Sequence, residues 1–155
     1  MAGGRHVDVG FCKVTARSAN KWRRLVGDWW PYVQSQRPKF ELVITPLDGC
    51  SDSQRFLYTL QYSNGNLHPP DELGASYLEP GKTRYYKLVP APLIVTGDTY
   101  LVVADRDELR DDRNTPYYQT VYAFSATSKT TMIGILIALI GIPIALFAIL
   151  TSIIW

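Results

Sequence analysis

The side chains able to hold a metal or act as a nucleophile are few in this 155-residue chain and lie apart from one another. His6 and His68 fall in different segments, with no cysteine or carboxylate at ligand spacing beside either, so no zinc site is expected. There is no glycine-rich phosphate loop and no G-x-S-x-G elbow. Asp105, Asp107, Glu108, Asp111 and Asp112 crowd one stretch, but it lacks the glycine and spacing of a calcium loop and reads as a solvated connection. The sequence therefore predicts no enzyme, no metal and no cofactor. Cys12 and Cys50 are expected as reduced thiols, each small and buried or half-buried; a disulfide between them would require an outward-facing domain.

Recognition chemistry is better represented. Trp22, Trp29, Trp30 and Tyr32 gather in one irregular stretch, with Lys21, Arg23 and Arg24 beside them. Such aromatics commonly end in a core. The other expectation is an exposed patch of Trp, Tyr and Arg, the types enriched at binding hot spots, facing an unknown protein or ligand or the membrane interface. Net charge is only +2 with acids and bases interleaved, so nucleic acid is not an expected partner.

Behind these residues stands the element that must position them. Met132 to Trp155 reads MIGILIALIGIPIALFAILTSIIW and carries no charge. As a helix of roughly 24 residues it would be about 36 Å long, enough to cross a bilayer with some tilt. Its small residues, Gly134, Ala138, Gly141, Ala145, Ala148 and Ser152, alternate spacings of four and three, the 3.5-residue period of a left-handed helix pair. Small side chains on one face let helix backbones approach closely in lipid, so the stripe predicts packing against copies of itself or a partner transmembrane helix rather than a generic anchor. Pro143 leaves the Leu139 carbonyl without its usual donor and predicts a mild kink. Lys129 and Trp155 suit the two membrane interfaces.

The opening residues MAGGRHVDVG hold no apolar run, so the helix itself is expected to target the chain, as in a tail-anchored protein. Lys129, with Arg106, Arg110 and Arg113 further upstream, places the N-terminal domain in the cytosol by the positive-inside rule, at a bacterial inner membrane or its equivalent.

Ahead of the helix, segments rich in Tyr, Val and Thr alternate between turn signals. Strands are expected up to Ala16, over Phe40–Pro46, Phe56–Ser63, Thr83–Ala91, Thr99–Arg106 and Pro116–Phe124. Trp22–Val33 reads as a broken strand or a short amphipathic piece, and Asn66–Lys82 as a long polar connection. The fold class is an all-β soluble domain, an antiparallel Ig-like β-sandwich of about seven strands, followed by a single C-terminal transmembrane α-helix. A partly closed barrel is the competitor. The boundaries are 1–124 for the sandwich, 125–131 for a short juxtamembrane stem and 132–155 for the helix.

The stretch LEPGKTRYYKL, a Pro-Leu-rich turn and then GDTYLVV resembles the closing strands of bacterial and archaeal Ig-like domains of the cell-adhesion-related type. That resemblance implies an interaction module without catalytic residues; its usual extracellular location opposes the cytosolic orientation given by the charges. The functional expectation is a cytosolic sensing or recruitment sandwich whose helix drives oligomerisation. The alternatives are a membrane-perturbing or pore-forming effector built from the same helix, or an accessory subunit of a larger membrane complex.

Overall fold

Alternation of buried and more exposed side chains builds the two central strands of one sheet. Along Phe40–Pro46 the buried residues are Phe40, Leu42, Ile44 and Pro46, while those between them are half-exposed. Along Cys12–Ser18 the buried positions are Cys12, Val14, Ala16 and Ser18, and the two strands pair so that Val14 faces Ile44 and Ala16 faces Leu42. With period two, a slip of either strand by one residue would turn its four buried residues outward, which fixes the register.

The computed structural model describes residues 3–27, 30–50, 53–106 and 117–154. In chain order these form β1 (Gly3–Gly4), β2 (Val7–Val9), β3 (Cys12–Ser18), α1 (Lys21–Val26), β4 (Tyr32–Val33), β5 (Phe40–Pro46), β6 (Ser53–Tyr62), β7 (Asp71–Ser76), β8 (Arg84–Leu88), β9 (Gly97–Asp105), β10 (Gln119–Thr127) and α2 (Lys129–Ile154). One sheet has the order β1-β10-β9-β6-β7, with β4 also beside β10; the other runs β2-β3-β5-β8. Every pairing is antiparallel except β4 with β10. Between the layers lie Phe40, Leu42, Ile44 and Val14 from one sheet and Phe56, Leu60, Leu101, Val103 and Phe124 from the other. A register shift between Thr120 and Tyr122 acts as a bulge and lets the consecutive Val121 and Tyr122 both be buried.

The sandwich is as expected, but with ten strands among the described residues rather than about seven. The expected first strand is a hairpin that turns at Gly10 and Phe11. β7, DELGAS, lies in what reads as a polar connection; it is an edge strand with Ala75 buried and Leu73 half-buried, so it lacks the apolar run of a central strand. The acidic residues expected in a solvated loop at 107–112 lie outside the described residues, as do Arg110 and Arg113.

The expected seven-residue stem also needs correction. β10 continues through Ser125 and Ala126, paired with Asp98 and Gly97, to Thr127, and α2 starts at Lys129. Only Ser128 lies between, as a helix cap. Its Oγ accepts the N–H of Thr131 at 3.1 Å and its carbonyl accepts the N–H of Met132 at 3.0 Å. The domain therefore meets the helix with almost no slack. Lys129–Ser152 is long and apolar enough to cross a membrane. The helix continues through Pro143.

Candidate functional site

Six residues cannot hold a helix by propensity alone, and α1 is framed by its caps. The Asn20 side chain accepts the N–H of Trp22 at 2.9 Å, and Gly27, at φ 92, donates its N–H to the Arg23 carbonyl. The segment after α1 is sewn to the end of β10: Gln34 N–H donates to the Thr127 carbonyl and Gln34 Nε2 to the Ile94 carbonyl, both at 2.8 Å. Arg23 locks the two parts together. Its guanidinium donates to the carbonyls of Trp30 at 2.6 Å and Pro31 at 3.1 Å, and lies 3.5 Å above the Tyr32 ring.

These ties bring the aromatic and basic stretch against the start of α2. A groove of about 1000 Å³ opens there, lined by Trp22, Trp30, Arg37 and Lys39 together with Met132 and Leu136 of α2. No carboxylate among the described residues lines it. On α1, Trp22, Leu25 and Val26 share a face by their spacing; Trp22 is 72% exposed and Leu25 78%, and no α1 residue is buried.

The expected surface patch is thus split. Trp22, Arg23 and Trp30 come together at the groove. Tyr32 does not present its ring to solvent: it is 6% exposed and packs on Phe40 and Phe124, because its partner strand β10 draws it into the interlayer core. Arg24 is exposed, and Trp29 lies outside the described residues. Arg37, Lys39, Met132 and Leu136 are additions that the sequence reading missed. Their signals were the two basic residues flanking Pro38 just before a strand, and the direct passage from strand to helix.

On α2, Lys129, Gly134, Ala138, Gly141, Ala145, Ala148 and Ser152 are all exposed, and Ser152 Oγ donates to the Ile149 carbonyl at 2.7 Å. A methyl group added at Gly134 or Gly141 would meet nothing within 4 Å. Trp155 lies outside the described residues. Arg106 is displaced from its expected place near the membrane. Gly97 pairs with Ala126 next to α2, whereas Arg106 follows Asp105 at the opposite end of β9, about 30 Å away at a strand's rise per residue. The basic residues found beside the start of α2 are instead Arg23, Arg37 and Lys39.

A second polar cluster closes that far end. Cys12 Sγ lies 3.0 Å from Gln54 Oε1 and 3.3 Å from Cys50 Sγ, and Gln54 Nε2 donates to Asp105 Oδ2 at 2.7 Å. Neither cysteine is in a disulfide; Cys12 is buried and Cys50 half-buried. Burial foremost, then the Cys50 thiol and the Asp105 charge, pushes the Cys12 thiol from 9.0 up to about 12. At mildly alkaline pH, alkylation should therefore take Cys50 well ahead of Cys12, and mass mapping that finds equal labelling of the folded protein would contradict the closed cluster. The linkage has a definite sign. The unfolded thiol ionises near 9.0 while the folded one keeps its proton to about 12, so stability falls as pH rises through that window.

Strand order and the apolar helix together define an Ig-like β-sandwich joined to a single candidate membrane helix. No protein-family model matches the chain, and no curated protein is similar to it. Among solved structures, it is similar to the CARDB domain of a Pyrococcus furiosus protein in complex with di-metal ions, at 13% identity and TM-score 0.42, over 79% of this chain and 95% of that one. It is also similar to part of a β-glucosidase from Listeria innocua in complex with glucose, at 8% identity and TM-score 0.41, over 75% of this chain. The chain spans 16% of that enzyme's length.

Proposed function

We propose that this is a tail-anchored, single-pass membrane protein whose sandwich works as a sensing or recruitment module on the cytosolic face and whose helix self-associates. The domain acts in this view by binding, not by catalysis. One observation carries the assembly: α2 leaves the domain uncovered, with Gly134 and Gly141 open and the small residues on one side. At about 100° per residue, Gly134 through Ser152 fall within a wedge of about 80°. Lipid tails are as apolar as the Ile and Leu elsewhere on the helix, so only the small-residue face gains from contact with a second helix, through closer packing. The orientation is supported by Lys129 at the head of α2 and by the basic groups that the fold collects around it.

The test is crosslinking in detergent of the full chain against a Gly141→Ile/Ala145→Ile variant. Two bulky residues in the middle of the stripe should weaken the oligomer by about tenfold or more, given about 1–3 kcal/mol for overpacking a close contact. Oligomer bands of unchanged intensity would refute self-association through this face.

A further inference from the structure

The groove beside the first turns of α2 has a chemistry of its own, and its depth is set by the helix. Counting from Lys129, Met132 lies about 5 Å and Leu136 about 10 Å further along α2. If α2 spans the bilayer, as proposed above, these two residues mark the level where headgroups give way to acyl chains. Trp22 and Trp30 line the same groove as these two residues, and indole rings favour that level. Trp22 and Leu25 of α1 are strongly exposed, as in helices that lie in the interface with one side among the lipids. Ile94, 61% exposed and tied through its carbonyl to Gln34, adds apolar surface at the same end.

The charges select the kind of lipid. Arg23 is already engaged by the Trp30 and Pro31 carbonyls. Arg37 and Lys39 are exposed and in no ion pair among the described residues. Two cations in no ion pair among the described residues, on a tryptophan-lined groove to which no described carboxylate contributes, match a phosphodiester headgroup attached to acyl chains. A soluble protein partner would have to displace lipid from a wall that includes the membrane helix itself.

We propose that this groove binds an anionic phospholipid of the leaflet that holds the domain, its phosphate at Arg37 and Lys39 and its acyl chains along Met132 and Leu136. The proposal rests on the membrane-anchored reading of α2 but not on its self-association.

The experiment uses the full chain with Trp29→Phe and Trp155→Phe, leaving Trp22 and Trp30 as reporters. It is reconstituted in phosphatidylcholine nanodiscs with phosphatidylglycerol as the minor lipid. Brominated acyl chains, which quench tryptophan on contact, are carried either on the phosphatidylglycerol or on an equal amount of the phosphatidylcholine. Quenching should be stronger when the anionic lipid carries the bromine, and Arg37→Gln/Lys39→Gln should abolish the difference, weakening retention about 30-fold at roughly fivefold per basic residue. Equal quenching by the two carriers, or a preference that survives the double substitution, overturns the proposal. So does loss of the preference on adding glycerol phosphate, which would assign the site to a soluble phosphate. Crosslinking of the same double variant should match the parent, because the α2 stripe is untouched, so failure of either reading is separable from the other.

Discussion

Phe40→Ala should cost the domain about 3–5 kcal/mol, the usual range for emptying a fully buried aromatic site. The ring is completely buried and lies 6.1 Å from Tyr32, 5.1 Å from Tyr122 and 5.4 Å from Phe124, centroid to centroid. It projects from the four-stranded sheet, while those three belong to strands of the other sheet, so the ring joins the layers. Each tilted aromatic pair adds about 0.5–1.5 kcal/mol to the burial of area, so the upper half of the range is expected. Against a total of about 5–15 kcal/mol the loss is large, and the near-UV melting temperature of the reconstituted protein should fall by on the order of 15 °C. A fall of only a few degrees would mean that neighbouring side chains collapse into the space. The effect also reaches the groove. Tyr32 supports the Arg23 guanidinium, and Arg23 holds Trp30 and Pro31, so loosening this cluster loosens the wall that faces the membrane.

The parts of the structure legible in the sequence are those where one physical preference dominates. Phe40–Pro46 is a compact run of β-prone residues stopped by Pro46, and it is a strand over those seven residues. The apolar run of α2 has no soluble alternative of comparable cost, and its start moved only because Ser128 caps the helix one turn earlier than hydropathy suggests. β7 was hidden because an edge strand with Asp71, Glu72 and Gly74 needs burial on little more than one side of Ala75; pairing with β6 outweighs its propensity. α1 was half legible. Asn20 and Gly27 bracket six residues as a helix, but Pro31 and the β-prone tryptophans argued locally for a strand. For the site, Trp22, Arg23 and Trp30 were visible as a cluster of residue types. Which of them faces outward was not, since that depends on β4 joining β10 in parallel, a pairing between residues about ninety apart in the chain. Arg37 and Lys39 became part of the site for the same reason: the fold, not local pattern, carries them to the helix.

Gly10→Ala should be nearly as damaging as the loss of Phe40, by a different route. Gly10 has φ 56, and a Cβ there would lie 2.4 Å from Gln54 Nε2 and 2.5 Å from Asp105 Oδ2. Left-handed backbone costs an alanine about 1–2 kcal/mol by itself. Far ends of side chains usually swing aside from such a contact. Here they are held, because Gln54 is buried, donates to Asp105 at 2.7 Å and accepts from Cys12 at 3.0 Å. Separating a buried amide from a carboxyl group adds about 1.5–3 kcal/mol, for a total of roughly 3–5 kcal/mol. A double-mutant cycle isolates the second contribution. In a Gln54→Ala background the Gln54 contact and its hydrogen bond are gone while the contact with Asp105 Oδ2 remains, so Gly10→Ala should cost the backbone share plus that one contact, and the coupling measured by denaturant unfolding should be about 1–2 kcal/mol. Additive costs would mean that the hairpin turn shifts freely and that the cluster does not hold it. Coupling of the expected size would make Gly10 the position that lets the β2–β3 hairpin close over Cys12, Gln54 and Asp105, the rigid end of a domain whose other end carries α2.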